Sequence, residues 1–448
     1  MLRFPPFRVA VEMPSAGWPS AYSFAIDRPH PDRQIHALTT NLRGFVVPND
    51  EVAPLPTAIV LCIDDAEIWR APIELARPDV ANSSYAAGAR RMGLICGFDA
   101  VLPSFLHPEG RPVTVCIETA GEAEHTTQRI ALVQLSFNEG TEPKRHDGIG
   151  VLTINSLGRS GSSVLCRVLS LHPKLHVPTL GGQFGEVFAA GHLARCLAVL
   201  GSEGSLSYVN RAYDEPDFIL LPNGYIGMDV QADGLEQVCQ DDMQRATLQG
   251  GVDAMHRGLD ALTTLARARK PKAAWWVEKS WSSESAPLLG ALAQRWKEII
   301  LVREPQDFVR SQRLYLLKER IPASTIQAHL LSTPNKFRRF YASYRCRRHL
   351  AHLVRYEDLV ARPRQVLEGI VDYLGLGPSR SFLSGAVKLL ETHDEFRLRM
   401  STRLEPGQQL SEGVDLSALD VGRMGPWFAE MCSDFGYEVP ETLGLVDG

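Results

Sequence analysis

A short loop between an apolar strand and an apolar helix combines glycine, hydroxyl groups and an arginine. The stretch LTINSLGRSGSSVLCRVLSLHP, residues 152–173, predicts a strand, a turn and then a helix whose apolar face is formed by Val164, Leu165, Val168, Leu169 and Leu171. Gly161 lets the backbone turn tightly, and the free N–H groups of the first helical turn favour an anion. Further donors come from Arg159, Ser160, Ser162 and Ser163. The loop predicts a phosphate or sulfate site; a plain turn with a serine N-cap is the alternative.

A second stretch carries groups of the same kind. In EIILVREPQDFVRSQRLY, residues 298–315, a strand ends at Val302 and a helix begins near Pro305. Arg303, at the strand tip, can bind a phosphate through two parallel hydrogen bonds, and the hydroxyl of Ser311 can contact the same group. The alternative for Arg303 is a surface ion pair with Glu304 or Asp307.

Neither stretch contains a widespread nucleotide-binding motif. The loop lacks the lysine of GxxxxGK[ST], and the pattern GxGxxG is also missing. These differences disfavour an ordinary P-loop nucleotidase and a dinucleotide-dependent dehydrogenase.

The elements around both stretches predict an α/β fold. After residue 147, short apolar strands separated by helical patterns are expected at VLTIN (151–155), YIGMDV (225–230), AAWWV (273–277), EIILV (298–302) and HLAHLVRY (349–356). This alternation is typical of a mostly parallel sheet flanked by helices. Ligands of such sheets bind at the carboxyl ends of the strands, where both stretches lie.

The N-terminal third has a different pattern. Seven runs with β-branched and aromatic residues recur between turn residues: FRVAVEM, YSFAID, GFVVP, TAIVLCID, LICGFDAVLP, PVTVCIETA and RIALVQLSF. They predict an antiparallel β-sandwich, and the polar segment 138–148 reads as a linker. We therefore expect a β-sandwich accessory domain over residues 1–147 and the α/β domain over residues 148–448.

Composition excludes several classes of protein. The chain has 448 residues, and 47 Lys and Arg against 52 Asp and Glu give a net charge of -5, which disfavours a non-specific nucleic-acid binder. Its eight cysteines show neither a CxxC pair nor a zinc-site spacing, so we expect reduced, mostly buried thiols and no metal site. Neither a signal peptide nor a membrane span is evident, and the expected location is the cytoplasm.

Three motifs, in this order along the chain, resemble the sulfotransferase family that uses 3′-phosphoadenosine 5′-phosphosulfate (PAPS). LGRSGSSVLCRVLSLHP is similar to its 5′-phosphosulfate loop, LVREPQDFVRS to its 3′-phosphate element, and LVRYEDLVARPRQVLEGIVDYLGL to its C-terminal strand and helix. The resemblance spans roughly residues 149 to 430 and is closest to the branch with protein-tyrosine sulfotransferases and bacterial homologues. It implies the P-loop-like sulfotransferase fold.

The resemblance also implies site residues. PAPS would be bound by Arg159, Ser160, Gly161, Ser162, Ser163, Arg303 and Ser311, with Arg423 and Trp427 as further contacts in DVGRMGPW. Glu186 would be the general base, although Gln183 lies close enough to confuse an alignment, and Lys279 and Arg159 would offset charge at the sulfuryl group. Trp281 departs from the family pattern, which has proline there. Arg355, Glu357 and Asp358 are expected to brace the sheet.

The implied reaction moves a sulfuryl group from PAPS to an acceptor hydroxyl, and no metal takes part. The phrases ELARPDVA and CGFDAVLP resemble a domain fused to bacterial polysaccharide-modifying enzymes, which favours a hydroxyl of a cell-surface glycan or its precursor. A protein tyrosine or a small phenol is the alternative acceptor. An ATP-dependent small-molecule kinase of related fold and a non-catalytic nucleotide- or glycan-binding protein are the alternative functions, and a homodimer is left open.

Overall fold

Two compact units divide the chain in the computed structural model. It describes residues 7–12, 21–28, 34–35, 39–103, 111–120, 127–138, 140, 144–180, 182–186, 188–200, 244–280, 286–293, 295–319, 321–348, 350–377, 379–392, 421, 424 and 426–443. The first unit comprises Met1–Asp147, Gly191–Leu259 and Glu284–Gln294; the second comprises Gly148–Ala190, Asp260–Ser283 and Arg295–Gly448. The division of the whole chain into domains 1–147 and 148–448 stays a prediction.

The N-terminal strands of the first unit form two antiparallel sheets. A six-stranded sheet has the order β3-β1-β10-β9-β5-β6 and a four-stranded sheet the order β2-β4-β8-β7. Their bounds are β1 Phe7–Glu12, β2 Tyr22–Arg28, β3 Gln34–Ile35, β4 Thr39–Pro48, β5 Pro56–Ile63, β6 Ala66–Pro72, β7 Leu75–Ala76, β8 Ile95–Pro103, β9 Val113–Ala120 and β10 Thr127–Asn138. A 3-10 turn at Val80–Asn82 and helix α1 at Ala86–Arg91 lie between β7 and β8.

All seven predicted N-terminal strands are present. In the paired strands β5 and β9, Ile59 opposes Ile117 and both are fully buried. Burial does not alternate along these strands, because Val60 of β5 and Thr119 of β9 are fully buried too, so this part of the sheet is covered on both faces. The short strand β3 and strands β6 and β7 were not predicted. Six cysteines in the described part of the chain are free thiols, and all but Cys196 are buried.

The second unit is built on a five-stranded, fully parallel sheet with the order β12-β15-β11-β16-β17. Its strands are β11 Gly150–Ser156, β12 Leu175–His176, β15 Trp275–Ser280, β16 Trp296–Val302 and β17 Ala351–Arg355, and β13 Thr179–Leu180 pairs with β14 Gln183–Phe184 in a separate hairpin. The parallel sheet confirms the predicted α/β fold class. Four of the five predicted strands are observed, and YIGMDV lies outside the described residues.

Helices follow or separate these strands. They are α2 Ser162–Leu169, α3 Ala189–Leu200, α4 Gln244–Arg269, α5 Ala286–Leu292, α6 Pro305–Lys318, α7 Ala323–Leu331, α8 Thr333–Arg347, α9 Tyr356–Ala361, α10 Pro363–Tyr373, α11 Arg380–Thr392 and α12 Pro426–Asp434. Across the described ranges, none of the helices combines the length and the apolar composition needed to cross a membrane.

Each face of the parallel sheet is covered by its own hydrophobic core. Ile299 and Leu301 of β16 pack with residues of α2, α10 and α11 on one face, whereas Ile300 and Val302 pack with residues of α6, α7, α8 and α12 on the other. This alternation is the two-residue period of a strand buried on both sides. The two layers of helices leave the carboxyl ends of the strands as the edge at which loops can form a site.

Candidate functional site

The loop that follows β11 has the tight geometry expected from its glycines. Gly161, at the N-cap of α2, adopts a φ of +92°, and Arg159 adopts a φ of +75° although it carries a side chain. Gly161 provides no side-chain cap, so the N-cap is not the serine that the alternative interpretation required. Leu171, expected on the buried face, is exposed because the helix ends at Leu169.

Gly161 is required by a close contact as well as by its backbone angle. A Cβ atom at this position would lie 2.3 Å from Cδ2 of the Tyr356 ring, far inside van der Waals contact. Tyr356 is the first residue of α9, directly after β17. The ring therefore packs against the start of α2, where the free backbone N–H groups lie.

Lys279 connects the first turn of α2 to a carboxylate. Its Nζ donates to Ser163 Oγ at 2.7 Å and forms an ion pair with Glu186 Oε1. The Lys279 side chain is only 4% exposed, whereas that of Glu186 is 19% exposed. We call Ser163, Glu186 and Lys279 the lysine cluster. It joins a buried cation, a hydroxyl and a carboxylate that solvent or a ligand can reach.

The backbone holds the lysine cluster in place from two sides. The N–H of Lys279 donates to the carbonyl of Gly185 at 3.0 Å, and the buried carboxylate of Glu278 accepts from the N–H of Ala190 at 3.0 Å. Both contacts fasten the segment that carries Glu186 to β15. Gly185 adopts a φ of +71°, and a Cβ there would lie 2.6 Å from Cys166 Sγ.

Cys166 lies beside this cluster without the properties of a nucleophile. Burial raises the pKa of its thiol to about 12 and outweighs the opposite effect of the Lys279 charge. The thiol therefore stays protonated near neutral pH, and only the thiolate is strongly nucleophilic.

Two arginines stack on tyrosine rings at the other part of the site. The Arg159 guanidinium carbon lies 4.7 Å from the centre of the Tyr315 ring, and that of Arg303 lies 4.9 Å from the centre of the Tyr356 ring. Arg303 Nη1 also donates to the carbonyl of Arg159 at 3.1 Å. We call Arg159, Arg303, Tyr315 and Tyr356 the arginine cluster.

The arginine cluster retains unused donors. Within the described residues, the buried Nε atoms of both Arg159 and Arg303 have no hydrogen-bond partner. The nearest carboxylate oxygen to Arg303 is Oδ2 of Asp307, 3.9 Å from Nη2, so the ion pair considered from the sequence is loose. Buried donors without partners are costly, and an anionic ligand would satisfy them.

Helix α6 begins at this cluster and is tied to the loop. Glu304 is its N-cap, and its carboxylate accepts from the N–H groups of Gln306 and Asp307 instead of pairing with Arg303. Ser311 is 1% exposed, and Gln312 Nε2 donates to the carbonyl of Gly158 at 3.0 Å. The helix thus holds the loop through Gln312.

Two residues of the RYED segment, which was expected to brace the sheet, contact distant segments of the chain. Glu357 accepts from the N–H of Glu304 at 3.0 Å and from the hydroxyl of Tyr437 at 2.8 Å. Arg355 stacks on the Tyr437 ring, with its guanidinium carbon 4.4 Å from the ring centre. Asp358 pairs with Arg362 in the next turn.

The structure brings five of the ten predicted site residues together in two groups. Ser163, Glu186 and Lys279 share contacts, and Arg159 and Arg303 share another. Gln183 is exposed on β14 and Trp427 packs edge-on against Phe428. Arg423 and Trp281 lie outside the described residues.

Sequence reasoning missed the residues that support the arginines. Tyr315 follows Ser311 by four positions and therefore shares its helix face, which is a signal the sequence did contain. Tyr356 stands in a segment interpreted as structural, and only the fold brings its ring to both Gly161 and Arg303. Gln312 gave no sequence signal.

The combined arrangement suits transfer of a charged group to a hydroxyl. A helix N-terminus and two arginines can hold phosphate, while a lysine and a carboxylate stand where proton transfer and charge stabilisation are needed. A family model described as "Sulfotransferase family" matches residues 152–379, which is more than half of the chain. The chain belongs to the sulfotransferase family. It is therefore a transferase enzyme.

The following solved structures are similar to this sulfotransferase at less than 25% identity. The sulfotransferase domain of the Synechococcus PCC 7002 olefin synthase is 18% identical, with 68% of this chain and 100% of that chain covered and a TM-score of 0.33. A Mycobacterium avium sulfotransferase is 14% identical, with 66% and 79% covered and a TM-score of 0.37. Retinol dehydratase, solved with androsterone and the inactive cofactor PAP, is 15% identical, with 67% and 84% covered and a TM-score of 0.28. No curated protein matches the chain, so the family assignment rests on the family model.

Proposed function

We propose that this sulfotransferase moves the sulfuryl group of PAPS to a carbohydrate hydroxyl. The 5′-phosphosulfate would be held by the loop and the first turn of α2, and the 3′-phosphate by Arg303 and Ser311. One observation carries the proposal: Lys279 contacts both Ser163, at the start of α2, and Glu186. A cation and a base thereby converge on the helix N-terminus that would bind the transferred group.

The residues present fit such a donor. Gly161 turns the backbone into α2 at a φ of +92° and provides no side-chain cap, so it does not occupy the free N–H groups of the first helical turn. Ser160 is 2% exposed and Ser311 1% exposed, so both hydroxyls lie in a dry environment in which a hydrogen bond to an anion is strong. The unpartnered Nε of Arg303 supplies a further donor for a phosphate oxygen.

Each residue of the lysine cluster has a distinct task in this reaction. PAPS, when bound, supplies a sulfuryl group attached to a phosphate leaving group. Glu186 would accept the proton of the acceptor hydroxyl as that oxygen attacks. Lys279 would offset negative charge on the leaving oxygen, and Ser163, which accepts from its Nζ, would orient the ammonium group. Arg423 and Trp427 stay predicted contacts of the nucleotide.

Support for a carbohydrate acceptor comes from two N-terminal segments that resemble a domain of polysaccharide-modifying enzymes. These segments, residues 74–81 and 96–103, contain the paired strands β7 and β8. Arg77 of this region forms ion pairs with Asp27 and Asp79 and stacks on Phe45. The motif residues are therefore used for structure, and the acceptor would be selected elsewhere. The homodimer and the cytoplasmic location stay predictions.

Isothermal titration tests the donor. We expect wild-type protein to bind 3′-phosphoadenosine 5′-phosphate (PAP), the product form of PAPS, and to bind ATP far more weakly. Arg303→Ala should lose about tenfold or more in PAP affinity, since a charge-assisted contact is removed. A preference for ATP would favour the kinase alternative and overturn the proposal.

Radiolabelled PAPS tests the acceptor. Transfer is measured to a panel of polysaccharides and their oligosaccharide precursors, to tyrosine peptides and to small phenols. We expect label in the carbohydrate fraction with wild-type protein and none with Glu186→Gln. Label confined to a peptide or a phenol would overturn the carbohydrate assignment and leave the donor assignment intact.

A further inference from the structure

Two successive carbonyl groups of the loop after β11 accept hydrogen bonds from side chains outside the loop. Gln312 of α6, which is 9% exposed, donates from Nε2 to the carbonyl of Gly158 at 3.0 Å. Arg303 Nη1 donates to the carbonyl of Arg159 at 3.1 Å. A carbonyl oxygen carries partial negative charge, so a carbonyl that is bonded to a donor repels a nearby anion less than a free one does.

The peptide unit between Gly158 and Arg159 links the Gln312 contact to the backbone of the loop. Because a trans peptide is planar and rigid, a hydrogen bond that fixes the Gly158 carbonyl also fixes the direction of the Arg159 N–H. Arg159 and Gly161 have positive φ angles of +75° and +92°. Backbone turns of this kind direct N–H groups toward an anion. Gln312 therefore constrains the loop at the peptide unit where this turn begins.

His329 of α7 orients the amide of Gln312. Its Nε2 lies 3.3 Å from Gln312 Oε1, and an amide oxygen needs a donor there, so this contact requires the proton on Nε2. Lys336 of α8 lies against the same ring, with its Nζ 3.1 Å from Nε2 and 3.5 Å from Nδ1, and Nδ1 accepts in this tautomer. With its oxygen engaged by His329, the amide presents its NH₂ group to Gly158.

We propose that Gln312 is a positioning residue for the 5′-phosphate end of the donor, and that His329 acts on donor binding through Gln312. This inference rests on the proposed use of PAPS. Gln312 acts through the peptide unit of Gly158 and Arg159, so its effect is confined to the 5′ end of the nucleotide. Its neighbour in the sequence, Ser311, is the hydroxyl assigned to the 3′-phosphate, and the test must separate the two.

The test compares two ligands that differ only in the 5′-phosphate. PAP and adenosine 3′-phosphate share the nucleoside and the 3′-phosphate, so the ratio of their dissociation constants, measured by isothermal titration, reports the 5′ site alone. The variant is Gln312→Met, which keeps a long unbranched side chain and removes the amide. The matched control is Gln306→Met on the same helix, since Gln306 Nε2 also donates to a backbone carbonyl, that of Thr442 at 2.6 Å.

We expect Gln312→Met to reduce the preference for PAP over adenosine 3′-phosphate by about three- to tenfold, because one hydrogen bond that holds the loop is lost. Gln306→Met should leave this ratio at the wild-type value. A wild-type ratio in Gln312→Met, with both affinities reduced equally, would mean that the substitution disturbs Ser311 or the whole helix, and would overturn the inference. Thermal unfolding verifies that each variant is folded.

A double-mutant cycle tests the role of His329. His329→Leu leaves α6 and the loop sequence intact, so it keeps the test decisive if Gln312→Met does not fold. We expect it to reduce the preference for PAP in the same direction by a smaller factor, and an unchanged ratio would overturn its role. In the double variant the loss should equal that of Gln312→Met alone, because no amide is left to orient; additive losses would show that His329 acts independently.

The wild-type titration distinguishes failure of this inference from failure of the proposed function. Wild-type protein that binds neither ligand would overturn the use of PAPS, and the role of Gln312 would fail with it. Wild-type protein that prefers PAP, together with a Gln312 variant of unchanged preference, would overturn the inference alone and leave the donor assignment intact.

Discussion

The lysine cluster balances its positive charge with a carboxylate, whereas the arginine cluster does not. Lys279 is opposed by the carboxylate of Glu186 and bonded to Ser163, so its charge is balanced inside the protein. Arg159 and Arg303 stack on tyrosine rings, which leave the positive charge in place, and each keeps a buried Nε without a partner among the described residues. A balanced pair suits proton transfer, whereas an excess of positive charge suits a bound anion.

Because of this difference, we expect one cluster to govern turnover and the other to govern the affinity for the donor. Changes in the lysine cluster should act on turnover, because its groups matter most when charge moves in the transition state. Changes in the arginine cluster should act on donor binding, because Arg303 is proposed to bind the 3′-phosphate, which does not react. Both clusters meet at the loop and the first turns of α2, so a defect there should affect them together.

Glu186→Gln should give the largest effect. Removal of the base should lower turnover of PAPS in the presence of acceptor by about 10²- to 10⁴-fold, whereas the dissociation constant of PAP should not increase. The matched control is Gln183→Ala, three residues earlier on an exposed strand, which should keep wild-type turnover. The reverse outcome, with loss of turnover in the Gln183 variant only, would show that the base has been misassigned.

Acid should weaken the far end of α2 through His172. This side chain is buried, its Nδ1 accepts from the N–H of Lys174 at 3.1 Å, and its pKa is lowered from 6.5 to about 4 by burial and by the charges of Lys174 and Lys270. The unfolded chain takes up this proton near pH 6.5 and the folded chain only near pH 4. As the pH falls from about 6.5 to about 4, the free energy of unfolding should therefore decrease by up to about 3 kcal/mol because of this group.

Urea unfolding between pH 4 and pH 7.5 measures this effect. His172→Gln should show a shallower fall than wild type, and His192→Gln, which changes an exposed histidine, should follow wild type. Equal slopes in all three proteins would show that His172 titrates normally. PAP affinity and turnover should decline together on acidification wherever unfolding is the cause, since both clusters depend on α2.

Gly161→Ala should damage both clusters at once. The new Cβ would meet the Tyr356 ring at 2.3 Å and would also impose a side chain at a φ of +92°. Strain of about 1–2 kcal/mol from the backbone alone predicts a loss of roughly tenfold in PAP affinity, and the clash adds to it. Turnover should fall in the same variant, because Ser163 moves with the loop.

Gly182→Ala shows whether backbone strain or the clash with the Tyr356 ring causes the loss of PAP affinity. Gly182 also has a positive φ, of +81°, but a Cβ there would meet nothing within 4 Å in the part of the chain that the structure describes. This variant should lose some thermal stability and keep its PAP affinity. Equal losses of affinity in both variants would mean that the contact with Tyr356 is irrelevant to the loop.

Local sequence patterns predicted the elements better than the contacts between them. Strand β9 and the βαβ order around β11 and β16 follow from the types of neighbouring residues, and both were predicted correctly. The roles of Lys279 and Glu186 were taken from the resemblance to the family and stay predictions; Lys279 lies inside β15, and Glu186 follows the hairpin strand β14. Their ion pair depends on the turn at Gly185, which no local pattern revealed.

The direction of the Arg159 side chain could not be predicted in the same way. It depends on a positive φ that is unusual for arginine and on a ring from a helix that begins nearly 150 residues later. Tyr356 is a similar case, because its two contacts come from the loop and from the tip of β16. Such contacts arise from packing between distant segments, and a single sequence carries no signal of their geometry.

Tyr356→Leu should give the smallest effect and the sharpest test of the arginine cluster. Loss of the ring removes the cation–π contact with Arg303 and should weaken PAP binding by about 2- to 5-fold. Tyr356→Phe retains the ring face and should bind PAP as wild type does, since the contact uses the ring and not the hydroxyl. Turnover at saturating PAPS should be nearly unchanged in both variants.

The combination of Tyr356→Leu with Gly161→Ala decides whether the ring acts on Arg303 or on the loop. If the ring matters to the loop mainly as an obstacle, the double variant should regain PAP affinity relative to Gly161→Ala, because leucine is a flexible neighbour for the new Cβ. If its main role is to support the guanidinium, the two losses should add. A gain in affinity would move Tyr356 from the arginine cluster to the loop, and the separation between binding and chemistry would then rest on Arg159 and Arg303 alone.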